Sequence, residues 1–121
     1  MLITDKTKLK HFSAENRIWQ GIPSIERTKK GRMFSVFYSG NIMETNGNYV
    51  VLLMSDDDGA TWSGPIAAAY VGESGRCFDS NLWLDPLGRL WWEWSVMPIC
   101  SVWATVCEEP DAKKLKWDMP K

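Results

Sequence analysis

Ser55-Asp56-Asp57-Asp58-Gly59-Ala60-Thr61-Trp62 is the stretch on which the fold turns, and it has the form S-x-D-x-G-x-T-W. Its chemistry is local. The Asp57 carboxylate is placed to accept backbone and hydroxyl hydrogen bonds across a turn, and Gly59 supplies a permissive φ. Trp62 then has an indole to lay under the hairpin. On the upstream side, Tyr49 to Met54 is apolar throughout, which predicts a strand covered on both faces. On the downstream side, Ile66 to Tyr70 follows Pro65 and reads as the next strand.

Working further outward, helical periodicity is nearly absent and short apolar runs alternate with turn chemistry, as an all-β chain requires. Ile22 to Glu26 and Arg32 to Tyr38 read as strands joined by the polar turn Thr28-Lys29-Lys30-Gly31, and Ser39 to Gly47 as a looser loop. The pattern then restarts. Strands are expected at Asn81 to Leu84, Arg89 to Ser95 and Val102 to Cys107, with Asp85-Pro86-Leu87-Gly88 as a turn and one helical turn at Pro110. Gly31-Arg32-Met33-Phe34 matches Gly88-Arg89-Leu90-Trp91, and Trp62-Ser63-Gly64-Pro65 matches Trp117-Asp118-Met119-Pro120. The two offsets, 57 and 55 positions, describe an internal repeat with the period of a propeller blade. A lone blade leaves both sheet faces bare, so blades must pack on neighbours.

Composition limits what such a chain does. It has 121 residues and a formal net charge of -1, with 14 Lys and Arg against 15 Asp and Glu, so no basic face for nucleic acid is expected. No apolar run is long enough for a spanning helix, and Met1 to Gln20 lacks the pattern of a signal peptide; a cytoplasmic location is the default expectation. Cys77, Cys100, Cys107 and the single His11 have no metal-ligand spacing. The cysteines read as reduced and buried, and no metal or cofactor is expected. Eight tryptophans remain. Indole serves as packing between sheets more often than as a sugar platform. Trp91, Trp92 and Trp94 fall on both faces of one strand and read as core between blades; Trp83 is the better ligand candidate, though still mainly packing.

Ser55 to Trp62 resembles the Asp-box, or bacterial neuraminidase repeat, of the sialidase superfamily. Gly21-Ile22-Pro23 with the Lys30-Gly31 turn is similar to the opening of a sialidase first blade, and the likeness extends over about residues 17 to 95. It implies a six-bladed β-propeller, of which this chain would supply two four-stranded antiparallel blades: a lead-in at 1–16, blade one at 17–70 and blade two at 71–121. The second Asp-box is degenerate, keeping only its Trp and Pro. In the family the Asp-box, here Ser55, Asp57, Gly59, Thr61 and Trp62, marks fold rather than catalysis. The family's first substrate arginine is replaced here by Gly21, and glycine cannot stand in for a bidentate guanidinium. Arg17 lies four residues upstream, and the role is not carried onto it.

Blade topology puts Arg17 to Gly21, Ser39 to Asn48, Gly75 to Ser80 and Val96 to Ser101 at one mouth. The candidates there are Gln20, Asn48, Arg76 and Asp79 for substrate, and Glu44 as a general acid/base with a raised pKa. Against these stand a solvated loop carboxylate at Glu44 and a surface ion pair of Arg76 with Asp79. Three functions follow as expectations: a sialidase-like exo-glycosidase represented by part of its propeller, a lectin in which two-blade chains close a homo-oligomeric ring around a glycan sugar, and an inactive fragment.

Overall fold

The computed structural model describes residues 1–121, and the chain is all-β with two antiparallel sheets. The strands are β1 (Leu2–Ile3), β2 (Trp19–Arg27), β3 (Met33–Gly40), β4 (Tyr49–Ser55), β5 (Ala67–Ala69), β6 (Arg76–Leu84), β7 (Leu90–Met97) and β8 (Ser101–Cys107), with one short helix, α1 (Lys6–Leu9). One sheet has the order β1-β5-β4-β3-β2 and the other β6-β7-β8. Every predicted strand is present, and most run further than their apolar cores.

The pairing differs from two sheets of four. The first has five strands because the lead-in folds back, setting Leu2 and Ile3 against Ala69 and Ala68. The second has three. Its fourth position is held by the tail, whose bonds run from Asp118 N to Val106 O (3.0 Å) and both ways between Ala104 and Lys121 (3.0 and 3.1 Å). The expected helical turn at Pro110 is instead a simple turn, closed by Ala112 N on Glu109 O (3.1 Å).

The repeat is visible bond by bond. Thr28 N donates to Arg32 O (2.8 Å) and Gly31 N to Thr28 O (3.0 Å); 57 positions on, Asp85 N donates to Arg89 O (3.0 Å) and Gly88 N to Asp85 O (2.9 Å). Ser63 N to Met54 O (2.8 Å) is echoed by Asp118 N to Val106 O. The leading strands β2 and β6 carry bulges at matching places, between Gly21 and Ser24 and between Phe78 and Asn81. Ile22 and Asp79 there have φ of 51° and 43°, the left-handed region a β-branched Ile avoids.

The sheets pack face to face. Phe34, Val36, Val50 and Leu52 meet Leu82, Leu90, Trp92 and Trp94, all buried. The leading strands are also stitched edge to edge. Ser24 Oγ donates to Asn81 Oδ1 (3.0 Å), and β6 backbone amides at Leu82 and Leu84 donate to Ser24 Oγ (3.1 Å) and Glu26 Oε2 (3.0 Å). On the outer side of the first sheet, Leu9 and Phe12 cover Tyr49, Val51 and Ala68, so β4 is enclosed from both sides as its sequence predicts. The second sheet has no such cover. Trp92 and Trp94 are fully buried, whereas Trp91, expected to lie between blades, is only half-buried because nothing packs on that face. Cys77 and Cys107 are buried and free; Cys100 corrects the expectation by being exposed. Burial pushes the Cys77 thiol up to about 12.

Candidate functional site at the loop end of the sheets

The S-x-D-x-G-x-T-W turn forms the hydrogen-bond set its residues allow. Asp57 Oδ1 accepts from Ser55 Oγ (2.8 Å) and Thr61 N (2.8 Å), and Oδ2 accepts from Thr61 Oγ1 (2.5 Å). Gly59 N donates to Ser55 Oγ (3.0 Å), and Gly59 takes φ of 82°. The Thr61 hydroxyl and amide, followed by Ser55, hold the Asp57 carboxyl below its ordinary value. Trp62 lies beside the turn near Met33, at 37% exposure, more open than a residue tucked under the hairpin. Asp56 pairs with Arg32 (2.7 Å) and Asp58 with Arg27. The acidic run is thus spent on structure. Asp57→Ala is expected to lower the melting temperature measurably, which scanning calorimetry reads.

At that other end, backbone bonds gather the predicted mouth segments. Ile18 N donates to Gly40 O (2.9 Å), Gly47 N to Gly75 O (2.7 Å) and Cys77 N to Asn48 O (3.2 Å). Asn48 is fully buried and organises the loop: Oδ1 accepts from Asn41 N (2.8 Å), and Nδ2 donates to Met43 O (2.6 Å). Its amide is committed to the loop rather than turned to solvent. Arg76 spans the mouth, with Nη1 donating to the Glu44 carbonyl and its guanidinium carbon 5.0 Å from the Phe78 ring centre, while Nε has no partner. Gln20, Glu44 and Asp79 are exposed and their side chains make no hydrogen bonds within the protein. Glu44 therefore lacks the enclosed setting a general acid needs. Arg76 makes no salt bridge with Asp79.

No protein-family model matches the chain, and no curated protein matches it. The site therefore rests on its geometry.

Two residues that sequence reasoning passed over complete the mouth. The Trp19 ring occupies the space beside Gly21, where an added Cβ would lie 3.4 Å from it, and meets Tyr38 edge-on at 5.0 Å. Tyr38 is fully buried with its hydroxyl unpartnered, and its ring centre is 6.2 Å from that of Phe78. Burial raises its pKa; Asn48 and Arg76 oppose the rise, and the Glu44 charge adds to it. Trp19, Tyr38, Phe78 and Arg76 thus form one row across the junction of the sheets. Arg17 stands outside it, over Phe37 at 5.2 Å on the face that Leu9 and Phe12 cover. The available signal was the alternation of β2, which puts Trp19 and Gly21 on one face.

Proposed function

We propose that the chain is part of a sialidase-type propeller, its two sheets being consecutive blades, and that its own share of the work is to bind a terminal glycan sugar at the Trp19–Arg76 row. The observation that carries the reading is the hydrogen-bonded Asp-box together with a repeat whose turns and bulges recur 57 positions apart. The adjacency of β2 and β6 supports it too, because neighbouring blades bring their leading strands together around a common axis.

At the row, the half-buried Trp19 offers a ring for the apolar face of a sugar, and Arg76 offers charge-assisted donors to a hydroxyl or carboxylate. Hydrolysis asks for more. Glycosidases place two carboxyl groups about 5–9.5 Å apart across the scissile bond, and here Glu44 is an exposed loop carboxylate. Turnover thus belongs to an assembled propeller whose further blades bring the remaining groups. The exposed setting of Glu44 equally favours a second reading, a lectin that binds and does not cleave.

Tryptophan fluorescence titration with methyl glycosides of an acidic and a neutral sugar tests the proposal. The acidic sugar is expected to bind, and Arg76→Ala to weaken it by roughly 10- to 100-fold, the worth of a charged hydrogen bond. Fluorogenic aryl glycosides are expected to remain uncleaved by the chain alone. Absence of any sugar response, or full binding by Arg76→Ala, defeats the reading.

A further inference from the structure

A second cavity, of about 260 Å³, opens on the outer side of the first sheet, whereas Tyr38 of the Trp19–Arg76 row faces Phe78 on the inner side. The lead-in contributes His11 and Asn16 to its wall, the β3–β4 loop Asn41 and Gly47, β4 Tyr49, and the segment between β5 and β6 Glu73. Glu73 is the only carboxylate in the wall, which holds no Lys or Arg, and it makes no salt bridge. It is nonetheless fixed. Oε1 accepts from Tyr70 Oη at 2.5 Å; burial, followed by the Glu73 carboxylate, pushes the Tyr70 phenol up to about 12, so the proton stays on the tyrosine. Oε2 rests against Gly47, 2.5 Å from where a Cβ there would stand, and Gly47 has φ of 87°, so the position demands glycine on both counts. Asn16 Nδ2 is spent on Lys10 O (3.2 Å) and Ser13 Oγ (3.3 Å), which leaves Oδ1 free to accept. Tyr49 is 4% exposed with its hydroxyl unpartnered, and its ring centre is 6.3 Å from that of His11.

We infer that this cavity binds the primary ammonium group of a small polar molecule of the size of one amino sugar. An ammonium brings three donors and no acceptor, which suits the free Glu73 Oε2 and Asn16 Oδ1. The Tyr49 ring adds the attraction of a π-face for a cation. A neutral sugar would cover the Glu73 carboxylate without supplying a counter-charge, and an anion would be repelled by it. The Asn41 carboxamide and the Tyr49 hydroxyl remain for the ring hydroxyls of the same molecule. The carboxylate is positioned before any ligand arrives, so its ordering costs nothing on binding. Neither the Trp19–Arg76 row nor the propeller reading enters this inference.

His11 is the only histidine of the chain, so its imidazole resonances report on this cavity by solution NMR. In samples matched at pH 7, glucosamine is expected to shift them saturably at millimolar concentration, and glucose to leave them in place. Glu73→Gln keeps the shape of the side chain and removes its charge, and is expected to weaken glucosamine binding by about 10-fold or more. Tyr70→Phe keeps the ring and releases the carboxylate, and is expected to weaken it by about 3- to 10-fold. Circular dichroism checks the fold of both, and a folding failure in one leaves the other to test the contact. No shift with glucosamine, an equal shift with glucose, or full affinity in a folded variant overturns the inference. The acidic glycoside of the proposed function is read through tryptophan fluorescence and Arg76→Ala, and glucosamine through His11 and Glu73→Gln, so failure of one leaves the other standing.

Discussion

Trp92→Ala is expected to be the most damaging single substitution in the chain, costing about 3–5 kcal/mol out of the ~5–15 kcal/mol typical of a domain. The side chain is fully buried at the centre of the sheet-to-sheet core. It lies 4.9 Å from the Trp94 ring and 5.9 Å from that of Trp117, and Nε1 donates to Ser80 Oγ at 2.7 Å. Truncation removes the largest apolar surface joining the two sheets and opens a cavity that close-packed neighbours cannot fill. Its hydrogen bond is separable from its bulk. Trp92→Phe keeps most of the volume and leaves Ser80 Oγ with only its bond to Glu93 O (3.1 Å), so a smaller loss is expected. Trp83→Ala, on the uncovered side of the same sheet, is the control and is expected to change stability by no more than about 0.5 kcal/mol. Urea denaturation of the three variants measures the order. Equal losses from Trp92→Ala and Trp83→Ala would show that the two faces do not differ as the packing requires.

That contrast also marks what the sequence could and could not disclose. Trp91, Trp92 and Trp94 alternate across one strand, so indole on both faces followed from the pleat alone. Which face a neighbour covers did not, because covering depends on tertiary partners that strand alternation never records. Local signals were read well for the same reason. The S-x-D-x-G-x-T-W turn carries its donors and acceptors within a few residues, and the Gly31 and Gly88 turns repeat within one period. The strand inside the lead-in was not legible, because Leu2 and Ile3 are too few to show a strand pattern, yet they pair with Ala69 and Ala68. At the mouth, the loops that converge were legible from blade topology. The individual roles were not. Asn48 reads as a ligand-facing amide until the folded loop shows both ends of it engaged by Asn41 and Met43. Trp19 was passed over in favour of its neighbour Gly21, although its ring lies beside that glycine.

Asp85 makes the second large effect, an acid sensitivity with a definite sign. Its carboxylate accepts from Leu87 N and Arg89 N (3.0 Å each), from Arg89 Nε (2.7 Å) and from Trp91 Nε1 (2.9 Å). Burial alone would push its pKa up, but hydrogen bonds from Trp91 and Arg89, with the Arg89 charge, win and bring it down from 3.8 to about 2. A carboxyl with a folded pKa below its unfolded one contributes stability that is fully present above the unfolded value. That contribution is lost as pH falls from about 4 toward 2. Asp57, held low by Thr61 and Ser55, adds in the same direction. The wild-type melting temperature is therefore expected to fall steeply across that window. Asp85→Asn is expected to start lower at neutral pH, because an amide gives up the charged bonds to Arg89, and then to fall less steeply, so that the two curves converge near pH 2. Asp85→Ala also strands the Trp91 and Arg89 donors, and is expected to melt on the order of 10 °C below wild type at pH 7. Parallel wild-type and Asp85→Asn curves would place the acid transition on other carboxylates. The consequence reaches past the turn itself, since Asp85 fixes Trp91, and Trp91 is part of the uncovered face of the second sheet.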